Sequence, residues 1–502
     1  MDDTFNREWN EEADIVVTGY GGAGAATAIT AHDEGADVLI LEKAPRGDEG
    51  GNTRVSGNGW LNLEPVEAAI TYLKEMCGAY TVPEDMIGVW AEEMSRNTEW
   101  IRSLGGEPVE STPPRPEFPD LPGAECVHSY RNGAMIGNSS LWLLLKEATE
   151  KRGIRILYGT AAKRLVQDPN TKEILGVKAE QAAGDVTIKA RKAVVMTCGG
   201  FGNNREMMRD YLTNLPYGYP LGTPYNTGDG IRMALDVGAD LWHMQNISGM
   251  RYSFKLPERD VAMYFKAMPG DSHIAVAGNG ERFVPERAFI RQLPDGRTMF
   301  PQGAWVKHGK MLQYGQWITA PTPPSIHWIF DEKLRVKGPI FTPKPPMLGW
   351  AQVLGLYTWS QDNSREIEMG WIKRADTIGE LAEKLGIDPK TLAETVSKYN
   401  RYCEQGRDED FGRDAETLEP ITEPPYYGMP IVSAFLNTQG GPRRNERAQV
   451  VNSFGEPIPR LYSAGELGSI YSFLYQAGGN IGECMAFGRI AGRNAVTLEP
   501  WG

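Results

Sequence analysis

The sequence predicts an α/β fold with a mostly parallel sheet, and three observations carry that prediction. A short apolar strand near the N-terminus runs into a glycine-rich turn, a helix and a second strand. A second glycine-rich loop follows directly. The same alternation of strand, small-residue turn and helix returns at the C-terminus, after a middle region of different composition.

The first element is Asp14–Thr18, reading DIVVT. It is followed by Gly19-Tyr20-Gly21-Gly22-Ala23-Gly24, the helical stretch AATAITAHDEG, and the strand ADVLILE ending at Glu42. This is a Rossmann-like dinucleotide-binding unit, with an acid about twenty residues after the glycines. Gly19 permits the tight turn, Gly21 lets backbone approach a pyrophosphate, and Gly24 lets helix and strand pack closely. The helix N-terminus offers free N–H groups and a positive dipole end to phosphates. Glu42 is placed to accept hydrogen bonds from a ribose diol. Its charge repels a 2′-phosphate, which favours FAD or NAD over NADP.

The second element is Gly50–Gly59, reading GGNTRVSGNG. A small, polar, glycine-rich loop beside the first suggests a longer ligand lying across the domain, and so FAD. Near the C-terminus, Leu461–Glu466 (LYSAGE) ends a strand. Ala477–Gly482 (AGGNIG) then opens the helix ECMAFGRIAGRNA, whose N-terminus is suited to stabilise negative charge on a reduced flavin.

Between these parts the composition shifts. Prolines cluster at Pro321, Pro323, Pro324, Pro339, Pro343, Pro345 and Pro346. Tryptophans crowd at Trp305, Trp317, Trp328, Trp350, Trp359 and Trp371, suiting either a core or a bulky apolar substrate. A helical stretch from Asp376 to Cys403 has apolar spacing near 3.6.

Bulk properties set bounds. The 502 residues exceed one compact core. The net charge of −13 argues against nucleic acid or an anionic membrane surface as partner. No apolar run reaches the length of a membrane span, and the acidic start MDDTFNREWNEEAD lacks the features of a signal peptide. The five scattered cysteines form no C-x-x-C pair, and a cytoplasmic location is expected.

The segments DIVVTGYGGAGAATA, LEK, GGNTRVSGNG, AVVMTCGGFGNN, TGDGIRMALDVGA, RFVPER and LYSAGE…GGNIGECMAFGRIAGRNA resemble the fumarate reductase/3-ketosteroid dehydrogenase superfamily, the FAD-binding family 2 flavoproteins. The resemblance implies an FAD-binding domain (1–245 and 433–502) with an inserted α+β substrate-capping domain (246–432). It implies that Gly19, Gly21, Gly22, Ala23 and Gly24 cradle the pyrophosphate and that Glu42 with Lys43 meets the adenosine ribose. Gly51, Asn52, Thr53, Ser56 and Gly57 would face the ring or ribityl chain, and Ala162 the adenine. Gly199, Asp229 and Glu466 would line the diphosphate–ribityl region, and Asn480 and Ile481 the flavin's pyrimidine edge. Members with covalent FAD carry a His in the loop that here reads NTRVSGNGWLN, so noncovalent FAD is expected.

The implied reaction adds or removes hydrogen across a carbon–carbon bond beside a carbonyl, between a small-molecule substrate and a separate electron donor or acceptor. Fumarate reductases place carboxylate-handling residues where this chain has Ile290, Asn437 and Gln476, with Arg291 one residue late. A dianion would lack its charged partners. Tyr471 or Tyr475, before the flavin helix, resembles the tyrosines of ketosteroid dehydrogenases, which favours a bulky cyclic ketone or enone; both also suit an amphipathic core. Arg287 and Arg291 remain candidates for proton donor in a fumarate-reductase-like enoate reductase, or for ordinary ion pairs. His128, Tyr130 and His273 are acid/base candidates without a motif. A flavin-bearing electron-transfer subunit is the non-enzyme alternative.

Overall fold

The computed structural model describes residues 8–114, 116–133, 137–287, 291–292, 298–299, 308–342 and 347–501, with 291–292 and 298–299 described as backbone. An eight-stranded sheet forms its centre, in the order Gln449–Val451, Pro457–Ser463, Gly184–Met196, Glu11–Thr18, Val38–Leu41, Arg155–Leu157. Ile174–Gln181 and Ala161–Gln167 extend it by antiparallel pairing off Gly184–Met196. Glu11–Thr18 pairs in parallel with Val38–Leu41 on one side and Gly184–Met196 on the other. A strand so placed is buried on both faces, and the run IVVT has no exposed position.

The helix Gly22–Asp33 is short-chained along its length, with Gly22 to Ile29 and Ala31 all buried. It lies against the C-terminal helix Gly479–Val496, whose own small residues permit a close crossing. A Cβ at Gly488 would stand 2.8 Å from the Ala26 Cβ and 2.9 Å from the Ala23 carbonyl. The two helices thereby bring both N-termini to one side of the sheet. Arg489 anchors the second helix, its Nε donating to buried Glu93 at 2.6 Å.

A second, six-stranded sheet joins Tyr219–Pro220, Arg251–Ser253, His273–Ala277, Ile326–Asp331, Lys373–Ala375 and Tyr426–Phe435. Its long strand Tyr426–Phe435 runs across position 432, and Tyr219–Pro220 enters this sheet well before position 246. The helical stretch near its edge divides into Ile378–Leu385 and Pro389–Gln405. Gly386 ends the first in a left-handed conformation, and the Asp388 side chain caps the second. Trp328, Trp350 and Trp359 are buried in this region's core with Phe254 and Phe341, and Trp371 packs against them. Trp305 lies outside the described residues. A third sheet pairs Gly59–Leu63, Val127–Asn132 and Pro108–Glu110.

Candidate active site

The three sheets and the two helix N-termini enclose a cavity of about 450 Å³. Its lining contains Gly19, Gly21, Gly22, Ala23, Glu42, Lys43, Gly51, Asn52, Thr53, Ser56, Gly57, Ala162, Gly199, Asp229, Glu466, Asn480 and Ile481. Residues up to 462 apart in sequence thus meet on one surface.

At the glycine turn each glycine has its own reason. Gly19 has φ of 102°, and a Cβ there would fall 2.6 Å from the Thr197 carbonyl. Gly21 is extended, and a Cβ would meet nothing nearer than the Gly50 carbonyl at 3.6 Å, so open space lies beside it. Gly24 does not reach the cavity, which corrects its place in the cradle. A Cβ there would lie 2.0 Å from the Gly19 carbonyl, so its task is helix–strand packing.

Glu42 closes the second strand. Its Oε2 accepts from the Tyr20 amide at 2.7 Å and its Oε1 from the Ala44 amide at 2.6 Å. Burial raises its pKa, against the lowering effect of these two bonds. The carboxylate therefore also fixes the turn, with lone pairs left over for a ligand. Lys43 bonds Asp229 at 2.7 Å, Thr227 Oγ1 at 2.5 Å and the Tyr225 carbonyl. Burial pushes Asp229 up, but Lys43 outweighs it and holds the carboxyl below its usual value.

The expected loop after Gly50 contains a short helix, Gly51–Val55, started by Gly50 at φ of 107°. Thr53 Oγ1 accepts from the Gly22 amide at 3.0 Å, joining this helix to the glycine turn. Asn52 donates to Glu466 at 2.8 Å and accepts from the Thr223 amide at 2.9 Å. Glu466 takes further bonds from Asn226 and Thr438, all neutral donors. Burial without a cation pushes its pKa up to about 7.

The two tyrosines part company. Tyr475 lines the cavity, and its hydroxyl oxygen accepts from the Asn480 amide at 3.2 Å, at the N-terminus of Gly479–Val496. Its own O–H remains to be donated. Burial raises its pKa, so the phenol stays neutral. Tyr471 is fully buried among core side chains, edge-on to Trp90 and to Tyr475, and does not line the cavity. The segment that carries them has no regular structure, and only the later tyrosine reaches the cavity edge.

Of the arginine candidates, Arg287 is also corrected. Arg287 pairs with Asp271 at 2.9 Å and donates to the Met268 carbonyl at 2.8 Å, away from the cavity. The RFVPE segment beside it forms a buried ion network of Arg282, Glu286, Asp408 and Arg413. Arg291 belongs to the short strand Arg291–Gln292, with its side chain outside the described residues, as is Ile290. Gln476 faces Tyr72 and the Glu117 amide rather than the cavity. Asn437 does line it. His128 pairs with Glu110 and His273 is buried in the second sheet; neither reaches the cavity. Tyr130 does, stacked on Trp60.

Other lining residues carried no sequence signal: Glu117, Arg131, Arg251, Tyr264 and His308. His308 packs edge-on to Tyr475 with ring centroids 4.9 Å apart. Its Nδ1 accepts from the Gly249 amide at 2.7 Å, which leaves the proton on Nε2, donated to Glu117 at 2.8 Å. Both ring nitrogens are thus spent. The register of Arg251–Ser253 on Tyr426–Phe435 and of Gly59–Leu63 on Val127–Asn132 brings Arg251 and Arg131 to the cavity, while Glu117, Tyr264 and His308 reach it from segments outside the strands.

The glycine turn with open space beside Gly21, the buried acid at Glu42 and the long continuous lining suit FAD. A family model for an FAD binding domain matches residues 14–481. A digoxin reductase from Eggerthella lenta is 29% identical, over 99% of this chain and 90% of its own. A urocanate reductase from the same organism is 30% identical, over 97% of this chain and 75% of its own. The crystal structure of a 3-ketosteroid Δ1-dehydrogenase from Sterolibacterium denitrificans superposes with a TM-score of 0.74 at 21% identity. The match covers 97% of this chain and all of the other, and it establishes the likeness in fold.

Proposed function

Because the chain belongs to the FAD binding domain family and is an FAD-dependent oxidoreductase, we propose that it exchanges hydrogen across a carbon–carbon bond beside a carbonyl, on a bulky cyclic ketone or enone. Gly19, Gly21, Gly22 and Ala23 hold the pyrophosphate, Glu42 the adenosine ribose, and Asn52, Thr53, Ser56, Gly57 and Glu466 the flavin side. The six-stranded sheet and the chain around it, from Tyr219–Pro220 to the end of Tyr426–Phe435, act as the substrate cap. FAD is held noncovalently, since the loop Asn52–Asn62 offers no His or Cys. Bound FAD supplies hydride exchange at its N5.

The observation that carries the reading is Tyr475. Its oxygen is held by the Asn480 amide, and its neutral O–H is left to donate. One donor aimed at a carbonyl oxygen stabilises the enolate-like charge that builds when hydrogen is added to or taken from the neighbouring carbons. With both His308 nitrogens engaged, the proton at the second carbon is exchanged by a phenol lining the cavity, Tyr130.

A second reading, an enoate reductase, is supported by the guanidinium groups of Arg131 and Arg251 in the lining rather than by Arg287. Anaerobic titration of the purified holoenzyme separates the two. A 3-keto-4-ene steroid, its saturated ketone and fumarate are each mixed with protein and a redox dye. Spectral change with a cyclic ketone or enone and little with fumarate is expected. Robust fumarate turnover with no response to ketones would overturn the reading. Acid precipitation should release intact FAD to the supernatant; flavin retained in the pellet would refute noncovalent attachment.

A further inference from the structure

The charged groups of the cavity are nearly all committed within the protein. Glu42 holds two backbone amides, and Lys43 and Asp229 hold each other. Asp48 accepts from the Tyr225 hydroxyl, Glu466 from Asn52, and Glu117 from His308 and the Ala477 amide. Arg131 donates to Ser111 Oγ at 3.1 Å. Arg251 differs. Its guanidinium stands 5.4 Å from the centre of the Tyr264 ring, and among the described residues it has no carboxylate and no hydrogen-bond acceptor.

A guanidinium held over an aromatic ring keeps its edge N–H groups free. Five donors in a rigid fork match a carboxylate in two parallel bonds. The position is set by the backbone: Arg251 begins the strand Arg251–Ser253, bonded in register to Ser433 and its neighbours. Gly249, two residues before it, binds His308, and His308 packs on Tyr475. Two residues span at most about 7 Å. The arginine therefore belongs to the same chamber as Tyr475, set off from it by the His308 ring and a short piece of chain.

We propose that Arg251, stacked on Tyr264, binds an anionic group of the substrate remote from the reacting bond, so that the preferred substrate is a cyclic ketone or enone bearing a carboxylate. This rests on the reading of the cavity as the reaction chamber with Tyr475 at the carbonyl. It differs from a dicarboxylate clamp, because the bond-polarising carbonyl stays neutral and one anion is read at a distance.

The test compares a 3-keto-4-ene steroid ending in a side-chain carboxylate with its primary amide, on the wild-type holoenzyme and on Arg251→Gln and Arg251→Lys. Binding is read by perturbation of the flavin absorbance and turnover by dye-coupled kcat/KM, with flavin content measured for each variant. A wild-type preference for the acid is expected, about 10- to 100-fold, in the range of one charged hydrogen-bonded pair. It should collapse in Arg251→Gln and return in part in Arg251→Lys, which keeps the charge but not the fork. Equal binding of acid and amide by the wild type would overturn the proposal. So would a preference that survives in Arg251→Gln, or loss of FAD from that variant, which would assign the arginine to the cofactor. Failure of the reaction class reads differently: the acid would bind in preference to the amide with neither compound turned over.

Discussion

The two ends of the cavity are built on different principles. At the glycine turn, nearly every polar group already has a protein partner: Glu42 holds the Tyr20 and Ala44 amides, Thr53 the Gly22 amide, and Lys43 the Asp229 carboxylate. At the Tyr475 end, groups are oriented but left with capacity. Tyr475 accepts one bond and keeps its O–H, and Arg251 rests on an aromatic face. The first end is a preformed seat whose ligand is a shape; the second is a set of donors waiting for a particular oxygen. A prebuilt seat ties binding to fold stability, whereas an end with spare donors ties its residues to substrate binding and turnover.

Six substitutions, taken in sets, test this contrast, the largest effect first. Tyr475→Phe should lower turnover by about two to three decades, the cost of one donor to a developing oxyanion, with FAD still bound. Tyr471→Phe should keep turnover near wild type and leave stability unchanged or raised, because the Tyr471 hydroxyl is buried without a partner among the described residues. Equal losses in the two variants would remove the distinction drawn between them.

At the other end, Gly24→Ala should destabilise the protein on the order of 3 kcal/mol, since the new Cβ would lie 2.0 Å from the Gly19 carbonyl. Gly21→Ala should melt near the wild type, with nothing closer than 3.6 Å to the new methyl, and lose FAD affinity instead. Melting curves and flavin titrations of both variants decide this; the reverse pattern would mean that the open space beside Gly21 is not where the cofactor lies.

Glu42→Ala should cost about 1.5–3 kcal/mol of FAD binding, one to two decades in affinity. The structure adds a consequence: the Tyr20 and Ala44 amides lose their acceptor, so the FAD-free protein should also melt earlier. Weaker binding with unchanged melting would show that the acid serves the ligand without ordering the turn.

The smallest effect concerns pH. Glu466 is raised to about 7 by burial in the FAD-free protein. A carboxyl whose folded pKa exceeds its unfolded value favours the fold fully below the unfolded value, about 4.5, and that contribution is lost as pH rises through about 7. The melting temperature of FAD-free protein should therefore carry a component that falls between pH 5 and 8, and Glu466→Gln should flatten it. An identical pH slope in the variant would show that Glu466 does not titrate there.

Much of the cofactor end was legible from the chain, because its determinants are local. The turn Gly19–Gly24, the acid at Glu42 and the helix start at Gly479 are short-range patterns that backbone sterics and the helix dipole impose. Even so, the sequence could not separate Gly21, which borders open space, from Gly24, which packs against the Gly19 carbonyl. That difference depends on which side of the turn each Cβ would face.

The reaction end was decided by tertiary structure. Tyr471 and Tyr475 have equal standing in sequence, and Arg287 follows a recognisable RFVPE segment. Packing sent Tyr471 into the core beside Trp90 and paired Arg287 with Asp271, while strand pairing carried Arg131 and Arg251 to the cavity wall. Strand register and close packing are properties of segments hundreds of residues apart. A local pattern can therefore state that a flavin seat exists, but only long-range pairing fixes which side chains face the substrate.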